Sequence, residues 1–89
     1  MTVQILDFHA DWCGPCKTFE PILHETMDDL DRDDVELKRI DVDENPQMAN
    51  KYQVQGIPTL VFIDEEENIL ERTVGVLQKP QLLSIINEL

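Results

Sequence analysis

Cysteine is scarce in this 89-residue chain: there are two, and both fall in one four-residue window, Cys13-Gly14-Pro15-Cys16. A disulfide across so short a loop removes little entropy from the unfolded chain, so the pair makes a poor structural staple. In a reducing compartment, close-spaced cysteines point instead to redox catalysis or metal binding. Positive charge is also scarce. Seven Lys and Arg stand against 19 Asp and Glu, a net charge of −12. Such a surface repels nucleic acid and anionic membranes and favours partners with a basic docking face. Excess carboxylate also fits a halophilic source, where salt screens the repulsion. Long hydrophobic runs are missing: none approaches the roughly 20 residues of a membrane helix. The stretch from Met1 to Asp7 has no basic cluster and no long apolar core, so it does not read as a secretory signal, and a cytoplasmic location is expected. Repeats, low-complexity tracts and linkers are absent as well. The length suits one domain, 1–89, and not two.

What is present alternates strand and helix. Val3 to His9 carries little polar alternation, as expected of a strand covered on both faces. Gly14-Pro15 punctuates, and a helix follows with Phe19, Ile22, Leu23, Met27 and Leu30 at core-facing spacing. Pro21 lies inside that helix and should kink it. The acidic run from Asp28 to Asp34 ends it as solvated surface. Val35 to Val42 reads as a second strand. Asn45-Pro46 starts a short helix to about Gln53, with Asn45 as N-cap and Pro46 at the first helical position. Thr59 to Ile63 is a strand, Asp64 to Asn68 a turn, and Ile69 to Gly75 a returning hairpin strand. Pro80 opens a last helix with Leu82, Ile85, Ile86 and Leu89 inward. The order βαβαββα predicts a mixed four-stranded sheet, its first two strands parallel and joined by a right-handed crossover, with helices on both faces.

The cysteine spacing suits thiol–disulfide exchange, which needs an attacking thiolate and a second thiol to resolve the mixed disulfide. Cys13 falls at a helix N-terminus, where unpaired N–H groups and the helix dipole stabilise a thiolate. Cys16 lies one turn in, beneath Cys13 and less exposed. Pro15 lacks an N–H, which costs nothing in the first turn. Gly14 leaves the backbone open to an approaching chain. A structural zinc needs four ligands. One Cys pair with His9 on a strand and His24 on the helix does not have that spacing, so no metal is expected. Asp7 interrupts the apolar run Ile5-Leu6-Asp7-Phe8. Buried there, a carboxylate is costly unless partnered or shifted upward in pKa, and such a group can exchange protons near neutral pH. The alternative is a solvated sheet edge.

Trp12-Cys13-Gly14-Pro15-Cys16-Lys17, Asp7-Phe8, Pro21, Asp43-x-Asn45-Pro46, Gly56-Ile57-Pro58-Thr59 and Val74-Gly75 together resemble the thioredoxin family along nearly the whole chain. The resemblance implies an α/β thioredoxin-like fold and a protein-disulfide oxidoreductase with no cofactor beyond its own cysteine pair. It implies Cys13 as nucleophile, Cys16 as resolving thiol and Asp7 as proton acceptor. Trp12, Gly14, Pro15, Ile57, Pro58, Gly75 and Val76 would bind substrate, with Pro58 as a cis-proline and Ile57 pairing its backbone with an extended target. Gly-Ile-Pro-Thr is equally compatible with a trans strand start. The implied partners are disulfide-containing proteins and a thioredoxin reductase or equivalent donor, met by a monomer. An oxidant or isomerase, a glutathione-linked glutaredoxin-type protein and a redox-inactive binding module are the competing readings.

Three features depart from the family pattern. The usual first strand and first helix are absent, which leaves one sheet edge less covered. His9 replaces the usual first Trp; it either favours the Cys13 thiolate and raises the reduction potential, or fills space as a partly exposed residue. Arg39 stands where a lysine near the buried Asp is common; Arg keeps its proton, and a one-residue shift in register would turn Lys38 inward instead. The acidic surface carries the first prediction. The melting temperature should rise by several degrees between low and roughly molar NaCl, as screening relieves self-repulsion; a melting temperature indifferent to salt would remove the halophilic reading.

Overall fold

The computed structural model describes residues 2–89. Its elements are β1 (Val3–His9), α1 (Gly14–Asp29), β2 (Val35–Asp41), α2 (Pro46–Lys51), β3 (Thr59–Ile63), β4 (Ile69–Val74) and α3 (Lys79–Asn87). They match the expected order, and their ends fall within two residues of expectation. The sheet runs β2-β1-β3-β4. β1 is parallel to β2 and antiparallel to β3, and β3 and β4 form the hairpin.

Period-two alternation splits β1 and β3 between two cores. Val3, Ile5, Leu60 and Phe62 join Phe19, Leu23, Leu82 and Ile86 on the face covered by α1 and α3. Leu6, Phe8, Val61 and Ile63 join Ile40 and Tyr52 on the other face, with Met48 of α2 packed against them. Helices therefore cover both faces. α1 runs continuously through Pro21. Thr26, which the hydrophobic spacing passes over, is buried and donates to the Ile22 carbonyl at 2.7 Å. This back-bond satisfies the hydroxyl without a partner from another element.

Other local details differ from expectation for identifiable reasons. Asn45 occupies the N-cap position of α2, but its side chain makes no capping bond. Its amide donates instead to the Asp41 carbonyl at 3.2 Å, closing the turn after β2. In the β3–β4 turn, Asp64 Oδ1 accepts from the N–H groups of Glu66 and Asn68, both at 2.9 Å. Hydrogen bonds from Asn68 lower the Asp64 pKa. Arg32 pairs with Asp34 and donates to the Ile86 carbonyl at 2.8 Å, fastening the loop after α1 to α3. Among the described residues, no helix is long and apolar enough to cross a membrane.

Phe62 has no exposed surface and lies in the α1–α3 core. Phe62→Ala should cost about 3–5 kcal/mol, a large share of the roughly 5–15 kcal/mol typical of a whole domain. Chemical denaturation should show the midpoint collapsing; a midpoint near wild type would mean that this core is not limiting.

Candidate functional site

β1 delivers the chain to the site. Its last residue, His9, leads into Ala10, whose carbonyl accepts the Cys13 N–H at 3.1 Å. Cys13 then caps α1 from extended backbone (φ −88°, ψ 104°), and its Sγ accepts the Cys16 N–H at 3.2 Å. A sulfur in this position occupies the place of an N-cap oxygen, facing the unpaired N–H groups of the first turn. Cys13 and Cys16 are joined in a disulfide with Cα atoms 5.3 Å apart.

The two cysteines are equally buried, each 4 % exposed, so the expected difference in exposure is absent in this disulfide state. Ala10 clusters with the two cysteines, and Val42 and Ile57 pack against them. Gly14 has open space where a side chain would stand, and Pro15 sits in the first turn as expected. The Ile57–Pro58 bond is cis, and the Ile57 carbonyl oxygen lies 3.9 Å from Cys13 Sγ. Pro58 is buried, and its carbonyl accepts the Gly75 N–H at 2.8 Å. Gly75 has φ +92°, a conformation that favours glycine over any L residue. Trp12 is 69 % exposed beside the pair, its indole donating to Asp43 Oδ2 at 2.8 Å.

Val76 is half-buried against the α1–α3 core. Val74 is 66 % exposed and packs near Gly56. Sequence reading quotes Val74 only in the Val74-Gly75 match, inside a strand expected to run to Gly75, and does not count it among the substrate-binding residues. The available clue is its pairing position: β4 must end opposite the start of β3, beside Pro58, and Val74 faces Thr59 there.

Asp7 is buried, 2 % exposed, in the middle of β1. It shares the sheet face of Val3 and Ile5, beneath α1. The register sets it opposite Arg39, while Lys38 lies opposite Leu6 and is exposed. Arg39 is therefore the inward cation: its Nε donates to Asp7 Oδ2 at 3.3 Å. Burial pushes the Asp7 carboxyl above its usual range, outweighing the lowering by Arg39 and by His9. His9 is two residues on along the same face. With Asp11, Cys16, Lys17, Glu20 and Arg39 it lines a small cleft beside the disulfide. Glu20 of α1 is a member that the sequence pattern does not mark. Its Oε1 lies 3.1 Å from Arg39 Nη1 and 3.8 Å from His24 Nε2. His24 itself is an exposed residue of α1. Among the described residues, no group of three or more His, Cys, Asp or Glu is placed to hold a metal ion.

The thioredoxin family model matches residues 2–88. The chain belongs to the thioredoxin family. A thioredoxin of Staphylococcus epidermidis is 40 % identical over 86 residues, which span 97 % of this chain and 81 % of that protein. A point mutant of a thioredoxin from Halobacterium salinarum superposes with a TM-score of 0.85 at 38 % identity, covering 97 % of this chain and 73 % of that one. Chloroplastic thioredoxin z superposes with a TM-score of 0.83 at 39 % identity, covering 98 % and 77 %. With its Cys13–Cys16 disulfide, this thioredoxin-family protein is a protein-disulfide oxidoreductase that uses the cysteine pair as its redox group.

The raised Asp7 pKa predicts a pH dependence of stability. The folded protein holds the Asp7 proton more tightly than the unfolded chain does. The resulting stabilisation is complete below the unfolded value, 3.8, and is lost as pH rises through the raised folded value. Above that window the fold carries a buried charge. Asp7→Asn removes it, so the disulfide form of the variant should melt a few degrees higher at neutral pH, with the gap closing toward about pH 4. A gap independent of pH would mean that Asp7 titrates normally.

Proposed function

We propose that this protein is a general reductant of protein disulfides, and the observation that carries the reading is Cys13 Sγ seated as the N-cap of α1. Once the disulfide is reduced, a sulfur there is favoured as thiolate by the helix N–H groups and dipole. It attacks a target disulfide: a Cys13–target S–S bond forms, the target S–S bond breaks, and one target sulfur leaves with the electron pair. Cys16 then gives its thiol proton to Asp7, attacks the Cys13 sulfur and displaces the second target sulfur. The Cys13–Cys16 disulfide closes, and two electrons have passed to the target. A reductase or equivalent donor returns two electrons to the pair.

Target docking is assigned to Trp12, Gly14, Pro15, Ile57, Pro58, Gly75 and Val76, with Val74 added from its exposure. The open space over Gly14 and the exposed indole support approach from that side. The Ile57 backbone is assigned the strand-like pairing with an extended target. The protein acts as a single-domain monomer in the cytoplasm, where a reducing environment keeps the dithiol available, and its acidic surface suits a basic face on its reductase and targets.

One observation favours a more oxidising poise. His9 lines the cleft on the Cys16 side of the pair, where an imidazolium would favour a thiolate and hence the reduced form. Insulin-disulfide reduction with a dithiol donor should show turnover for wild type and a loss of at least about 100-fold for Cys13→Ser, since a lone Cys16 cannot complete the cycle. Reduction potentials of wild type and His9→Trp divide reductant from oxidant, with roughly 30 mV per tenfold change in equilibrium. No turnover by wild type sinks the reductant reading; a potential unmoved by His9→Trp removes the tuning role.

A further inference from the structure

The cleft beside Cys16 holds an arrangement that the exchange chemistry above does not use. One guanidinium serves two carboxylates through different nitrogens. Arg39 Nε donates to Asp7 Oδ2 at 3.3 Å, and Nη1 lies 3.1 Å from Glu20 Oε1. The two carboxylates differ in setting. Asp7 is 3 % exposed at its side chain and Glu20 is 42 % exposed. Asp7 is buried on a central strand paired on both edges, which leaves it little room to move toward the cation. Arg39 is on an edge strand with a long side chain, so Arg39 is the member that adjusts.

We propose that Glu20 is a positioning residue for the exchange reaction: it holds one arm of Arg39 at the cleft mouth, so that the guanidinium meets Asp7 with a single N–H. An Arg released from Glu20 is free to turn its fork onto Asp7 in the bidentate geometry that carboxylates favour. That would hold Asp7 in its charged form more firmly and make it a weaker base. Glu20 thus keeps Asp7 able to take the Cys16 proton at working pH. The direct repulsion of Glu20 on Asp7 acts in the same direction. The other charged or titratable groups around the cleft are His9 from β1, Asp11 from the loop after it and Lys17 from α1. On the solvent side His24 lies 3.8 Å from Glu20 and competes for the same carboxylate when protonated. β3 presents apolar Leu60 opposite Asp7.

The inference rests on Asp7 being the proton acceptor, and two readouts separate the two ideas. The first is the Asp7 carboxyl titration, followed by carbon NMR in the full-length reduced protein. The second is the pH profile of thiol release from a Cys13 mixed disulfide with thionitrobenzoate, which isolates the Cys16 step. Glu20→Gln should move the Asp7 titration to lower pH by roughly half a unit, the scale of a screened pair of partly exposed charges. The acid limb of the release profile should move with it, and the plateau rate should fall. In an Arg39→Gln background, Glu20→Gln should move the titration by much less, because no guanidinium remains to be released. An unmoved titration in Glu20→Gln overturns the proposal. An equal shift with and without Arg39 also overturns it, since Glu20 would then act on Asp7 by charge alone. If Asp7→Asn leaves the release profile unchanged, the proton-acceptor reading itself falls, whatever the titration shows.

Discussion

β1 is paired on both edges and covered on both faces, and the rest of the molecule is arranged around that constraint. β2 and β3 satisfy its backbone, and two separate apolar cores take its alternate side chains. Its C-terminal end runs into the turn that seats Cys13 at the head of α1. The redox pair is thus attached to the best-held strand of the sheet. Asp7 lies inside the same strand and cannot escape to water by local movement. Its burial is answered by one partly exposed arginine, which is not enough to return its proton affinity to normal.

Positive charge is scarce, and most of the cations have a visible assignment. Arg32 fastens the loop after α1 to the end of α3. Arg72 donates to the Tyr52 carbonyl at 2.6 Å, closing the end of α2 against β4. Lys79 pairs with Glu25 and Asp29 and ties the start of α3 to α1. Lys51 pairs with Glu67 in the hairpin turn. Exposed pairs of this kind are each worth little. Their common feature is location: each lies at the surface and joins residues far apart in sequence. Lys17 follows Cys16 directly and, with Arg39, places a cation in the cleft beside the disulfide.

How much of this was legible in the sequence depends on the kind of information each feature needs. The strands, helices and their order follow from periodicity and from the Gly14-Pro15 and Asn45-Pro46 boundaries, which are local. Asp7 was legible because a carboxylate inside Ile5-Leu6-Asp7-Phe8 violates the pattern around it. The choice between Arg39 and Lys38 was not, because a slip of one residue exchanges the two faces of a strand. Thr26 was hidden by a back-bond within its own helix, and the exposure of Val74 by its place in an ordinary strand pattern. Asn45 has the sequence of a capping residue, yet the Asp41 carbonyl competes for its side chain. Glu20 was hidden most completely. Its role depends on α1 crossing the sheet over the Asp7–Arg39 pair, a three-dimensional fact with no periodic trace.

The identity of residue 39 matters more than its charge. A lysine there would offer one ammonium, a compact donor that can sit near Asp7 or near Glu20 but brings no fixed fork. Arginine spans both because its Nε and Nη1 point in different directions from one rigid plane, and it never loses its proton. The buried carboxylate is therefore always accompanied by a cation. What varies is how closely that cation engages it. In an acidic protein with few cations to spare, sharing one guanidinium between a buried carboxylate and a surface one joins the strand beneath Cys16 to the solvent-facing side of α1. The link runs from Asp7 through Arg39 to Glu20, and its outer end is open to change without disturbing the buried strand.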